Sequence, residues 1–319
     1  MNSIYCPAIC AAALVFGLLA SPANALERTV NCDKGQSIQD ALDTGPAASH
    51  GRYTVAINGI CREDVTIRRP MVTIDGNIGP TGPAIEGTIR VFAGGARIQF
   101  LTVTGPARGI LVSGGSSSAR VNHVNLIQND GVGLEVVGGA FVFLTDSTVS
   151  GNDSGIVVSW SVLHVDNNSH IMNNLDTGIL ALDGSHVTIA NSEVSVHPGT
   201  GISVWNGSSA LLNNATVSAN ANGIEMRAGS IRIGEGTAIN GNLNHGIDAN
   251  LHSSVQIENA SIYNNNGSGI RLEFDSGLLA FDNVDIHSNS GDNIVCGDLE
   301  SSAIFLGAAP SDVVCTDYN

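Results

Sequence analysis

A glycine followed by Ile or Leu returns about every 23 residues through the last two-thirds of the chain: Gly109-Ile110, Gly133-Leu134, Gly155-Ile156, Gly178-Ile179, Gly201-Ile202, Gly223-Ile224, Gly246-Ile247 and Gly269-Ile270. The gaps are 24, 22, 23, 23, 22, 23 and 23. A period this steady over eight copies means one short structural unit stacked many times. Every functional side chain has to be placed on that stack.

With the glycine as origin, the next residue and the one two beyond it are apolar in every copy, as in Val112, Val136, Val158, Ala181, Val204, Met226, Ala249 and Leu272. The positions between them vary from Leu111 and Val157 to Glu225, Asp248 and Arg271. That alternation is the period of a half-buried strand, so Gly-Ile opens one. Two further β-rich runs follow in each repeat, such as Phe141-Val142-Phe143-Leu144 then Thr148-Val149. Three or four residues before nearly every glycine stands an asparagine, Asn129, Asn152, Asn174, Asn220, Asn242 and Asn265, with Asn289 before the imperfect last copy and His197 as the lone substitute. Asparagine tolerates left-handed backbone, and its amide can bond the same amide one layer away.

Three short strands joined by links of a few residues leave no room for helical crossovers. Repeated in register, they describe a coil that climbs one strand spacing per turn. The pattern resembles the right-handed parallel β-helix of the pectin-lyase-like superfamily, exported bacterial type, over residues 29–319. The implied fold class is all-β, with three strands and about 22–24 residues per coil. Gly35 to Leu42 resembles the amphipathic helix that caps the first coil in such proteins and shields an open sheet edge. Gly59 to Ile67 is similar to a first-coil pattern of exported members. The fold hosts many activities, so the resemblance names no single one.

The expected organisation is a cleaved signal peptide over 1–25, a cap with irregular first coils over 26–83, regular coils over 84–297 and a C-terminal cap over 298–319. The apolar run Ala11 to Ala20 is too short to span a bilayer, and Ala23-Asn24-Ala25 offers a small-x-small cleavage site. A secreted or periplasmic chain without membrane insertion follows. Removing that segment leaves Cys32, Cys61, Cys296 and Cys315, an even number in an exported chain. With coils about 4.8 Å apart, the ends of the stack are too distant for one bridge, which leaves Cys32 to Cys61 and Cys296 to Cys315.

The formal net charge is −16, and it is uneven. Residues 1–120 carry ten basic and eight acidic groups, residues 121–226 none and nine, and residues 227–319 three and twelve. Such a surface repels nucleic acid and anionic lipid over most of its length. Only the first coils suit a polyanion: Arg90, Arg97, Arg108 and Arg120 recur on neighbouring layers, either as a short basic strip or as solvated arginines near a cap.

β-Helix enzymes of the superfamily bind extended sugar chains along one strand face, so the outward positions of the Gly-Ile strand are the place to look. One zone is apolar: Val137, Val157, Leu180, Leu182 and Trp205, with Trp160 one step beyond the strand. The other places Glu225 with Arg227, Asp248 with Asn250, and Arg271 with Glu273 on three successive layers, flanked by His245, His252 and Asp275. Lyase chemistry needs a cation to neutralise a uronate carboxylate and a base for the C5 proton. Arg271 or Arg227 suits the first role, and His252 or Arg271 the second. Hydrolysis instead uses two carboxyl groups, which Glu225 with Asp248 or Asp248 with Glu273 would supply. Glu225, Asp248 and Asn250 are also hard oxygen ligands of the kind Ca2+ takes. Trp205, Trp160, Arg227 and Asn250 are the substrate-binding candidates.

Against this stands a plain structural reading, in which unlike charges on adjacent strands form ladders that solubilise a sheet. The chain also lacks the Asp-Pro-His-Glu run of mannuronan epimerases, the Arg-x-Pro-x-x-Arg of pectate lyases and the polygalacturonase motifs. No family catalytic residue therefore transfers. Two functions stand side by side. One is a protein that binds an extended polysaccharide along the Gly-Ile face with lyase-type cleavage. The other is a non-catalytic surface or matrix protein that holds a glycan or a protein partner, a second copy of itself included, through the apolar strip.

Overall fold

Gly-Ile does open a strand. In a computed structural model that describes residues 26–47, 51–76, 82–281 and 283–315, the chain winds a right-handed parallel β-helix. The expected signal peptide and the last four residues of the chain lie outside the described residues. One coil consists of Val132–Val137, Phe141–Thr145 and Thr148–Ser150, three strands as the repeat requires. The Gly-Ile strands stack into a 12-stranded parallel sheet, the front sheet, while the second and third strands of each coil join into a 22-stranded ribbon with a middle and a rear face. Ser118–Asn129 runs unbroken through both of those faces. Parallel strands with crossovers take the right-handed path.

Register follows the sequence period without slippage along the front sheet. Ile156 sits on Ile179, Ile179 on Ile202, Ile202 on Ile224, Ile224 on Ile247 and Ile247 on Ile270. All six are fully buried. Burying an isoleucine contributes about 1.5–3 kcal/mol, and here each also touches its copy above and below. The core is therefore a set of aliphatic columns parallel to the axis, and stability comes from nearest-neighbour stacking.

The repeating glycine answers to space, not to backbone angle, since none of the eight has a positive φ. A Cβ on Gly223 would lie 2.5 Å from the carbonyl oxygen of Gly246 and 2.8 Å from the Asn242 amide nitrogen. The space so released over a glycine is filled by the asparagine of the next coil, as Asn242 does over Gly223. Asn220 donates from Nδ2 to Asn242 Oδ1 at 3.1 Å, and Asn242 to Asn265 Oδ1 at 2.8 Å, with each backbone N–H bonded to the same oxygen. This buried amide column satisfies the turn that delivers the chain onto the front sheet.

The short helix Ile38–Asp43 closes the first coil, a minor cap that overlaps the expected Gly35 to Leu42. Its N-terminus is held by Glu63, whose carboxylate accepts from Ser37 Oγ and from the backbone N–H groups of Ile38 and Gln39. The disulfides pair as expected, Cys32–Cys61 with Cα atoms 5.0 Å apart and Cys296–Cys315 with 4.8 Å. No helix of the described residues is long and apolar enough to cross a membrane. The single basic strip is corrected. Arg90 and Arg108 lie on or beside the front sheet, paired with Asp64 and Glu135, whereas Arg97 and Arg120 stand on the middle face, where they are register partners.

Candidate functional site on the front sheet

Reading along the stack, the outward column of the front sheet runs Glu135, Val157, Leu180, Ser203, Glu225, Asp248, Arg271 and Val295. The next outward column carries Trp205, Arg227 and Asn250, again in direct register. Parallel strands lie about 4.8 Å apart, so the structure brings six of the candidate side chains into one patch. The carboxylates of this patch are largely buried, the side chains of Glu225 and Asp248 being only 16% and 15% exposed, whereas Arg227 stands out into solvent.

The ion pairs run mainly along the strands, which corrects the expected cross-strand ladder. Arg227 bonds Glu225 Oε1 at 2.7 Å, two residues back on its own strand, and Thr200 Oγ1 donates to the other oxygen at 3.2 Å. Arg271 bonds Glu273 on its own strand at 2.5 Å and reaches Asp248 across the strands only at 3.9 Å. The Glu273 carboxylate raises the Arg271 pKa. Asp248 accepts from Asn250 Nδ2 at 2.9 Å. Burial pushes Asp248 above the usual carboxylate range, against the pull of Arg271, His245 and Asn250. A strand spaces same-face neighbours two residues apart, and a guanidinium spans that gap as readily as the gap between strands.

Trp205 ends the apolar strip, and the Arg227 guanidinium lies 5.0 Å from its ring centre. Its indole Nε1–H is buried with no acceptor among the described residues. Trp160 stands apart. It occupies the turn after its strand with φ 52°, in a row of left-handed turn positions that includes Asp183, Asn206, Ala228, Leu251 and Phe274, and its side is 69% exposed. His252 belongs to the same turn edge, where it pairs with Asp275 at 3.0 Å in open solvent. His245 lies at the opposite end of the strand. Burial lowers its pKa, and its Nδ1 accepts from the backbone N–H of Ser268. The sequence reading missed Thr200, whose signal was its place immediately before Gly201, the slot that His245 fills two layers on.

Proton transfer is the chemistry this patch allows: a carboxyl group held toward its neutral form beside a guanidinium, at the edge of an indole. Calcium fits less well, because Glu225 already accepts from Arg227 and Thr200 and ligation would have to displace both. Among the described residues, one set of three side chains has metal-donor atoms close together, Cys32, Cys61 and Glu63. There the two sulfurs form a disulfide and the carboxylate caps the helix.

Residues 164–305 match the family profile described as right handed beta helix region, and residues 71–233 that described as periplasmic copper-binding protein (NosD). No curated protein sequence matches the chain. Among solved structures, the A-module of the Azotobacter vinelandii mannuronan C-5 epimerase AlgE6 superposes with TM-score 0.65 at 15% identity, covering 91% of this chain and 100% of that one. The periplasmic alginate epimerase AlgG superposes with TM-score 0.56 at 14% identity, covering 88% and 77%. Tailspike protein 2 of an Escherichia coli bacteriophage gives 0.54 at 14% identity, covering 81% of this chain and 39% of the tailspike. At such identities the likeness is one of fold.

Proposed function

The chain belongs to the NosD family of β-helix proteins, and from that premise we propose that it is an exported protein that holds an extended polysaccharide along its front sheet. The observation that carries this reading is Trp205. Its partly buried indole is braced by Arg227 and lies in register beside the half-buried Glu225–Asp248–Arg271 column. An aromatic face next to fixed carboxylates, amides and guanidinia is what a sugar chain needs, because pyranose rings stack through their C–H faces and bond through their hydroxyls. The coil spacing, about 4.8 Å, is on the scale of one sugar ring, so successive rings meet successive layers. Two of the neighbours by fold are a mannuronan C-5 epimerase and an alginate epimerase, which supports a polysaccharide ligand.

Copper does not come across with the family. Copper sites use thiolate, thioether or imidazole donors. Here the sulfurs of Cys32 and Cys61 are spent in a disulfide, and among the described residues no other group of three or more His, Cys, Asp or Glu side chains converges.

A second reading, lyase-type cleavage, is favoured by Asp248 alone. In that reaction a base takes the C5 proton of a uronate, the C4–oxygen bond breaks as a C4=C5 double bond forms, and the leaving oxygen is protonated by an acid. Asp248, held toward its neutral form, suits the acid. Binding without cleavage is supported by the arginines: Arg227 and Arg271 already neutralise Glu225 and Glu273, so a uronate carboxylate would have to compete for them.

The test is a titration of the purified protein with alginate, pectate, hyaluronan and neutral glucan oligosaccharides, with and without calcium, read by fluorescence of its two tryptophans. Trp205→Ala is expected to weaken binding at least about tenfold, the ~1.4 kcal/mol of a good stacking contact. Unchanged affinity in that variant removes the front-sheet site. If an ultraviolet-absorbing unsaturated product accumulates and Asp248→Ala stops it, cleavage is established. If no uronate polymer yields that product, the cleavage reading falls and the binding reading stands.

A further inference from the structure

On the middle face, several coils nearer the N-terminal cap, the register sets Arg97, Arg120, Phe143 and His164 directly over one another. Arg52, which lies just before Tyr53–Asn58, joins the two arginines around a cavity of about 290 Å3 that Phe141 and Phe143 also line. A second hollow, about 310 Å3, shares Arg97, Arg120 and Phe143 and adds Gln99, Asn122 and Thr145. The two hollows adjoin along that shared row and together make a grooved stretch of the face, positive and aromatic, lined with amide and hydroxyl groups.

Two observations set this groove apart from an ordinary arginine-rich surface. Among the described residues, Arg52, Arg97 and Arg120 take part in no ion pair, although the chain as a whole carries a net charge of −16. Burial, and then the charges of Arg97 and Arg120, lower the Arg52 pKa, so the three cations repel one another. The strands stacked here carry two acidic groups, Asp75, which accepts from Gln99 Nε2 at 2.9 Å, and Asp166, whose charge acts on His164. The rings are also ordered: Phe143 stacks on His164 with centroids 5.0 Å apart, Phe141 meets Phe143 edge-on at 4.6 Å, and Arg120 lies 5.7 Å from the Phe143 centroid.

We propose that this groove is a binding site for an anionic sugar chain, its carboxylate or sulfate groups taken by Arg52, Arg97 and Arg120 and one of its rings laid against Phe143 and His164. Guanidinium forks suit such planar or tetrahedral anions. The amide and hydroxyl side chains of Gln99, Asn122 and Thr145 suit sugar hydroxyls. A nucleic acid needs a long cationic track. Here the positive stretch ends at Arg120, and residues 121–226 contain no Lys or Arg and nine acidic groups. The site rests on none of the front-sheet residues.

Calorimetric titration of the intact protein with oligogalacturonate, with a sulfated disaccharide repeat oligomer, with a neutral glucan and with single-stranded DNA tests it. The double variant Arg97→Gln with Arg120→Gln is expected to lose about tenfold or more in affinity for an anionic oligosaccharide at low salt. Phe143→Ala is expected to weaken binding of the same ligand, and Trp205→Ala to leave this site intact. Response to the uronate alone assigns carboxylate recognition, and response to both anionic sugars assigns anion recognition in general. Because the altered side chains face outward, an unchanged unfolding midpoint certifies the fold. Equal binding by variant and parent, equal binding of the neutral glucan, or tighter binding of the DNA would each overturn the proposal. If the front-sheet reading fails, Trp205→Ala changes nothing, yet the arginine variants still lose the ligand.

Discussion

At residue 197 the buried amide column meets an imidazole. His197 Nδ1 accepts from the backbone N–H of Asn174 at 3.2 Å, and Nε2 faces the Ile171 carbonyl at 3.1 Å, so the neutral ring protonated on Nε2 satisfies both. Its own N–H bonds Asn220 Oδ1, which keeps the column continuous. Burial lowers the His197 pKa from its ordinary 6.5, so the unfolded chain takes up the proton more readily than the folded one. The resulting stability is complete above about pH 6.5 and is lost as the pH falls toward the folded-state value. His197→Asn, which restores the repeating amide, is expected to fold and to flatten the decline of the unfolding midpoint below that pH. Burial lowers the His164 and His245 pKa values as well, so part of the decline remains. His197→Ala leaves the Asn174 N–H unpaired and is expected to cost about 1–3 kcal/mol. A variant with asparagine here and an unchanged pH profile would remove His197 from the account.

At the scale of one strand, the glycine column is what allows coils to close on one another. Gly223→Ala places a methyl group 2.5 Å from the Gly246 carbonyl oxygen and 2.9 Å from Ile239 Cγ2. The strands must part, and a loss of about 1–3 kcal/mol is expected, with faster amide exchange in the adjoining coils. Gly277→Ala, where the added methyl meets nothing within 4 Å, is the matched control and is expected to be neutral. Equal losses at both positions would refute the close-approach argument. These columns were readable because space and hydrogen bonding leave glycine and asparagine few substitutes, so the same letters recur at the same interval. The partners of Arg227 and Arg271 were not readable. Alternation tells which way a side chain faces, but a long guanidinium can reach along its strand or across it, and both chose their own strand. Spacing also failed for Arg90, Arg97, Arg108 and Arg120: they recur on neighbouring layers but on two faces, and Arg52 joined Arg97 and Arg120 from outside the repeat.

For the whole molecule, a stack in which each coil touches only its neighbours is weakest at its ends. Central coils are held from both sides, and terminal coils from one. The two disulfides sit where that deficit falls, Cys32–Cys61 beside the helical cap and Cys296–Cys315 across the last strand pair of the front sheet, where Val295 meets Val314. The second bridge joins residues 19 apart, and closing a loop of that size restricts the unfolded chain by about 3 kcal/mol. In a globular core that gain would spread through the domain. In a solenoid it stays local. Replacing Cys296 and Cys315 together by serine is therefore expected to raise amide exchange in Asp285–His287, Ile294–Cys296 and Ser302–Phe305, while Ser154–Ser159 and Thr200–Trp205 keep their protection. Binding at the middle-face groove, well inside the stack, should persist, whereas the front-sheet site at Arg271 lies one strand from the loosened edge and should weaken first. A uniform loss of protection along all the coils would instead mean that the stack unfolds as one cooperative unit.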